Sequence, residues 1–195
     1  MIGGQAPKAE NWEQGIGVGD IILIRNTGLL PWLIRFWTRR GAPAGHEGYN
    51  HAAICVGRSD EALWLSAEPC GVGIRNTTEL LKGAEGFVVL HFTGPIRIGF
   101  SAAQRAMATL RSGYDFVGVL GFVISRITGL RVDFRGKWFC SEICHSAWQE
   151  ALVENGLLRS FRDSSDTSPN DLLAWALHQG CFEKIRVDRE WVPGS

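Results

Sequence analysis

Trp138-Phe139-Cys140-Ser141-Glu142 is the stretch on which the fold turns, because there an aromatic, apolar approach ends in a cysteine that opens a helix. From Cys140 to Gly156 the apolar residues fall at Cys140, Ile143, Cys144, Ala147, Ala151 and Leu152, a helical stripe that Gly156 brings to a stop. A thiol in the first turn of a helix faces backbone N–H groups that lack intrahelical partners, and it sits at the positive end of the helix dipole. Both favour the thiolate, which is the nucleophilic form. The same N–H groups suit an oxyanion that forms during acyl transfer. The alternative is a buried cysteine that merely begins the stripe, since free cysteine is among the most buried residue types. A partner base decides between the two.

Upstream of this helix the chain reads mainly as strands. Gly19-Asp20 introduces Ile21-Ile22-Leu23-Ile24, a short apolar run expected to be a buried strand. His51 to Gly57, Ala62 to Glu68, Gly71 to Ile74 and Gly86 to Phe92 read as further strands, with a bend at Pro69-Cys70-Gly71. Leu30 to Arg40 has helical spacing, and Gly41 to Tyr49 reads as a Gly-rich loop. Helices are expected over Ser101 to Arg111 with Ser101 as cap, over Tyr114 to Ile127, and over Pro169 to His178 capped by Ser168. Phe182 to Val187 returns as an edge strand. Strands first and helices later make the class α+β, an antiparallel sheet or barrel packed against helices.

The 195 residues suffice for one domain with a full core, so a loose leader over 1–18 and a single domain over 19–195 are expected. Lysine plus arginine and aspartate plus glutamate each total 20, and this zero net charge argues against a nucleic-acid partner. The five cysteines form no tight CxxC pair, which reads as thiols of a reducing compartment rather than a disulfide framework. The first residues lack the apolar core of a secretory signal, and the longest apolar stretch, Phe116 to Ile127, is too short to span a bilayer. Cytoplasmic synthesis without membrane insertion is the expectation. The sequence holds no GxGxxG, no phosphate-binding GKS or GKT loop and no HExxH. Cys140, Cys144, His145 and His51 lack the paired spacing of a zinc site, so neither metal nor cofactor is expected.

His51 is the candidate base. It stands at the mouth of the second strand, directly after Tyr49-Asn50, where small apolar residues behind it fix the backbone and leave the ring near a cleft. His91 lies inside a strand, His145 on the polar side of the Cys140 helix, His178 near a helix C-terminus and His46 in the Gly-rich loop, all weaker placements. A third group should orient the imidazole. Ser66 and Glu68 share one face of the next strand, Glu68 as the stronger acceptor and Ser66 as the closer fit by register.

Gly19-Asp20, Asn50-His51-Ala52-Ala53-Ile54 with Gly57, Ser66-Ala67-Glu68-Pro69-Cys70-Gly71-Val72, Tyr114-Asp115-Phe116 and Trp138-Phe139-Cys140-Ser141-Glu142 occur in this order. Together they resemble the circularly permuted NlpC-like, papain-like cysteine hydrolases (the YiiX-like group), a circle that includes lecithin:retinol acyltransferase-type enzymes. The resemblance runs from about Gly19 to about Trp175. It implies Cys140 as nucleophile, His51 as base, and Glu68 or Ser66 as the orienting group. The family often carries an acid where this chain has Ser66. By the same resemblance Tyr114 lines the cleft, and Ser66, Tyr114 and Trp138 are the candidate substrate contacts, while Asp20 braces a turn. The implied activity is cleavage of an amide in a small peptide of the bacterial cell-wall stem type through a thioester, and a bacterial or phage origin. An acyltransferase, a thioesterase or lipid-ester hydrolase, and a catalytically inactive binding module on the same fold are the alternatives.

Overall fold

The computed structural model describes residues 9–27, 48–68, 71–110, 140–159 and 167–186. Six strands form one sheet: β1 (Ile21–Asn26), β2 (His51–Arg58), β3 (Ala62–Glu68), β4 (Gly71–Asn76), β5 (Ala84–Phe92) and β6 (Phe182–Arg186). Their order across the sheet is β4-β3-β2-β1-β5-β6, and every neighbouring pair is antiparallel. The helices are α1 (Thr77–Leu80), α2 (Ile96–Met107), α3 (Cys140–Glu154) and α4 (Pro169–His178), with a short 3-10 turn at Ala9–Gly15.

β1 lies between β2 and β5, and both its faces are covered, which explains an apolar run without alternation. Ile21 and Leu23 face α2, α3 and α4 together with Ala52, Ile54, Leu65, Val88 and Leu90. Ile22 and Ile24 face the other way, with Ala53, Trp64, Phe87 and Val89, against Trp12, Leu80 and Leu81. Burying one large apolar side chain contributes roughly 1.5–3 kcal/mol, so this double-sided core is the main stabilising term.

Two expectations are corrected. Packed structure begins ahead of Gly19: Trp12 is buried and its ring meets Phe87 at a centroid distance of 4.8 Å. α2 starts at Ile96 directly after Pro95 and has no side-chain cap, so Ser101 lies inside it; proline is tolerated at a helix entry, where its missing N–H has no partner to lose. α4 follows its sequence signals, with Ser168 and Asp171 forming a reciprocal capping box and Pro169 at the first helical position. The helices read over Leu30–Arg40 and Tyr114–Ile127 lie outside the described residues.

α3 is docked against the turn that precedes β1. The indole N–H of Trp148 donates to the Gly19 carbonyl at 2.9 Å. Gly19 has φ +97°, and a Cβ there would come within 2.6 Å of the Gly99 Cα on α2. Only glycine permits both that conformation and that approach. On the outer side Arg105 of α2 pairs with Glu150 and Glu154 of α3. These contacts set the height of α3 over the sheet and thereby the place of its first residue.

Candidate active site

Cys140 is the first residue of α3 and is 8 % exposed. His51 is the first residue of β2 and is partly exposed. The two side chains meet. Burial pushes the Cys140 thiol up, but attraction to His51, a hydrogen bond with its imidazole and the backbone N–H groups of Ala52 and Ser141 outweigh burial and hold it below the ordinary thiol value. Burial pushes His51 down, while the charge of Cys140, its hydrogen bond and the more distant charge of Glu68 raise it above the ordinary imidazole value. A lowered thiol beside a raised imidazole favours a thiolate–imidazolium pair.

The backbone around His51 explains this reach. β2 pairs with β3 from Arg58–Ala62 to Ile54–Leu65, whereas its pairing with β1 continues to His51. Ala52 thus lies beyond the last β2–β3 pair, where its N–H can turn to the thiol. Asn50 pins the strand mouth, its amide accepting from the Asn26 N–H and donating to the Asn26 carbonyl, each at 3.1 Å. On the helix side the Ser141 hydroxyl donates to the Thr167 carbonyl, and the Tyr49 N–H reaches the Asn170 side chain at 3.4 Å. The start of α4 therefore touches the residues flanking both Cys140 and His51.

Glu68 ends β3, and its charge is the smallest of the influences that raise His51. Its carboxylate also accepts from the Arg75 guanidinium at 3.0 Å. Ser66 is 1 % exposed, and its hydroxyl has no hydrogen-bond partner among the described residues. Between the two sequence candidates for an orienting group, Glu68 is the one whose charge acts on His51. Tyr114 and Trp138 lie outside the described residues.

The remaining histidines have other surroundings. His145 is not on a polar helix side: it is buried, bonded to the Thr167 hydroxyl at 2.9 Å and to Gln149, and stands edge-on to Trp175. His91 bonds Asp20 through Nδ1 at 2.9 Å. Asp20 braces its turn through the Gly17 N–H, as read, and also accepts from the Phe92 N–H at the end of β5. Sequence reasoning missed Asn50, Arg75 and Asn170 as parts of the site. Asn50 alone carried a signal, a buried-strand entrance occupied by an amide.

The thiols separate sharply. Burial pushes Cys55 up to about 11, pushes Cys144 well above the ordinary value with help from the charge of Cys140, and raises Cys181. Among the four cysteines of the described residues, only Cys140 is lowered.

No family model matches the chain, and no curated protein matches it. A solved structure of the metalloprotein yiiX from Escherichia coli O157:H7 is similar, with a TM-score of 0.53 and 20 % identity over 70 % of this chain and 67 % of that one. The chain has a YiiX-like α+β fold. Among the described residues no group of three or more His, Cys, Asp or Glu is placed to hold a metal ion. Among those residues Cys140 and His51 together offer two donors, fewer than a metal centre takes. Among the same residues no helix is long and apolar enough to cross a membrane.

Proposed function

We propose that this chain is a thiol hydrolase that cleaves an amide bond through a thioester on Cys140, with a small peptide of the cell-wall stem type as the substrate class. The observation that carries the reading is the Cys140–His51 contact at a helix tip, with the thiol lowered and every other thiol among the described residues raised.

In the proposed reaction His51 takes the Cys140 proton, and the thiolate attacks the substrate carbonyl carbon. The carbonyl π-electrons move to oxygen, and that oxyanion is held by N–H groups of the first turn of α3. Collapse of the intermediate breaks the C–N bond, and the leaving amine takes the proton back from the His51 imidazolium. Water, deprotonated by His51, then attacks the thioester; the C–S bond breaks and the carboxylic acid leaves. Glu68 stabilises the imidazolium. The partial exposure of His51, beside a Cys140 that is buried but not fully sealed at 8 % exposed, supports access from solvent.

The test is intact-mass spectrometry of the chain after exposure to a library of peptide amides and acyl esters. A peptidyl adduct on Cys140 that turns over in the wild type, and is absent from both Cys140→Ala and His51→Ala, is the expected result. Turnover by Cys140→Ala ends the covalent mechanism, and turnover of acyl esters alone moves the substrate class to the ester alternative.

A further inference from the structure

β1 and β2 pair as a regular antiparallel ladder from Ile21–Ile54 to Ile24–His51, and just beyond it the Asn50 N–H reaches the Ile24 carbonyl at 3.0 Å. Two further steps of the same register would set Asn26 against Tyr49 and give the Asn26 N–H and C=O a backbone partner. The Tyr49 N–H points to the Asn170 side chain at the start of α4 instead, at 3.4 Å. What meets Asn26 is the side chain of Asn50. Its amide oxygen accepts from the Asn26 N–H and its amide nitrogen donates to the Asn26 carbonyl, each at 3.1 Å. A primary amide carries the donor and the acceptor of a peptide group, and here both go to one residue. Asn50 is 6 % exposed, so water competes little for these bonds.

The exchange has a geometric consequence. Because a side chain closes the ladder, the main chain need not run on beside β1, and it comes to β2 from the side of α4. Asn50 is bound to β1 through its side chain and its backbone N–H together, and the next residue is His51. A backbone fixed directly ahead of an imidazole is what holds that ring within hydrogen-bond reach of a thiol. We infer that Asn50 is a positioning residue: its amide stands in for the missing backbone rung opposite Asn26 and so fixes the ring of His51 against Cys140. The inference rests on the proposed roles of Cys140 and His51. Among the described residues the charges that act on His51 are those of Cys140 on α3 and Glu68 on β3. Asn50 is uncharged, so its replacement by alanine or serine leaves those charges in place, and a change in the pair reports on geometry.

The readout is the pH midpoint of iodoacetamide labelling at Cys140, followed in the full chain by peptide mass mapping, since the thiolate is the form that reacts. Asn50→Ala is expected to raise that midpoint by about one unit, an about tenfold loss of thiolate at pH values well below it. Asn50→Ser keeps a hydroxyl for one of the two bonds; it is expected to shift the midpoint less, and it carries the test if Asn50→Ala fails to fold. Added to His51→Ala, either substitution is expected to shift the midpoint no further, because the effect passes through the imidazole. Asp20→Ala removes the acceptor of the Gly17 and Phe92 N–H groups at the opposite end of β1 and controls for general loosening. It is expected to lower the urea midpoint and leave the labelling midpoint in place. The inference is overturned if both Asn50 variants leave the labelling midpoint at the wild-type value, with or without a fall in the urea midpoint. It is overturned equally if Asp20→Ala moves the labelling midpoint as far, or if the Asn50 shift persists in full without His51. The hydrolase reading is judged separately, by His51→Ala alone: a labelling midpoint that this substitution does not move ends the Cys140–His51 pair, whatever Asn50 does.

Discussion

Two junctions in this molecule set an imidazole against an acidic group across a strand end, and they serve different ends. At the Asp20–His91 junction the acid is 1 % exposed and its oxygens receive the Gly17 N–H, the Phe92 N–H and His91 Nδ1. Those bonds lock the turn before β1 to the end of β5, and the neighbouring Gly19 carbonyl receives Trp148 from α3. At the Cys140–His51 junction the acid is a thiol, 8 % exposed, whose N–H neighbours favour its anion. A carboxylate already satisfied by rigid donors holds the fold. A lowered thiol next to a proton acceptor, at a helix tip, is available for bond formation.

The largest contrast is in reactivity. Cys140→Ala is expected to remove all turnover, and His51→Ala to slow iodoacetamide labelling of Cys140 at neutral pH by about tenfold for each pKa unit by which the thiol rises. Rates come from peptide mass mapping over time. Labelling of Cys140 that is indifferent to His51 would break the distinction between the junctions. In the other junction the expected loss is stability. Asp20→Ala leaves the Gly17 and Phe92 N–H groups without their acceptor and should cost about 2–4 kcal/mol in urea unfolding, whereas Cys140→Ala costs about 1 kcal/mol. Equal losses would erase the contrast.

A finer comparison lies inside α3. Cys140 and Cys144 are one turn apart on the same buried stripe, yet burial and the charge of Cys140 raise Cys144 where His51 helps to lower Cys140. Native-state labelling should therefore mark Cys140 first, with Cys144 and Cys55 reacting only on the timescale of unfolding. Cys144 reacting as fast as Cys140 would mean that the helix tip frays and that its N–H donors are not fixed.

Much of this was legible in the chain because it is local. The apolar stripe marked α3, the unalternated run marked β1 as covered on both faces, and Ser168-Pro169 marked the start of α4. Cys140 and His51 were singled out because each stands at an element's first residue, where a side chain leaves the regular packing. What stayed hidden depends on register and on distant partners. The Arg75–Glu68 bond exists because β3 and β4 pair so that two glycines fall between the residues. The burial of His145 follows from α4 packing beside α3, where Thr167 and Trp175 cover it. Trp12 looked like part of a loose leader, since its partner Phe87 lies far along the chain. Spacing within one element cannot report such pairings.

The smallest expected effect concerns pH and belongs to the bracing junction. A hydrogen bond to Asp20 raises the His91 pKa above its ordinary value, burial opposes this, and the charges of Asp20 and of Glu183, its cross-strand neighbour on β6, add to it. The group therefore binds its proton more tightly in the folded chain than in the unfolded one. Its contribution to stability is fully present below the unfolded pKa of about 6.5 and is lost as pH rises through the folded pKa. With a side chain 35 % exposed, solvent screening keeps that contribution small. Urea midpoints of the wild type and His91→Gln, measured at about pH 5.5 and about pH 8.5, isolate it, since His51 and the other titrating groups are common to both chains. The wild-type advantage over His91→Gln should be greater at the lower pH. An advantage that grows with pH would show that His91 is held neutral against Asp20, and the bracing junction would then owe its strength to the two backbone N–H donors alone.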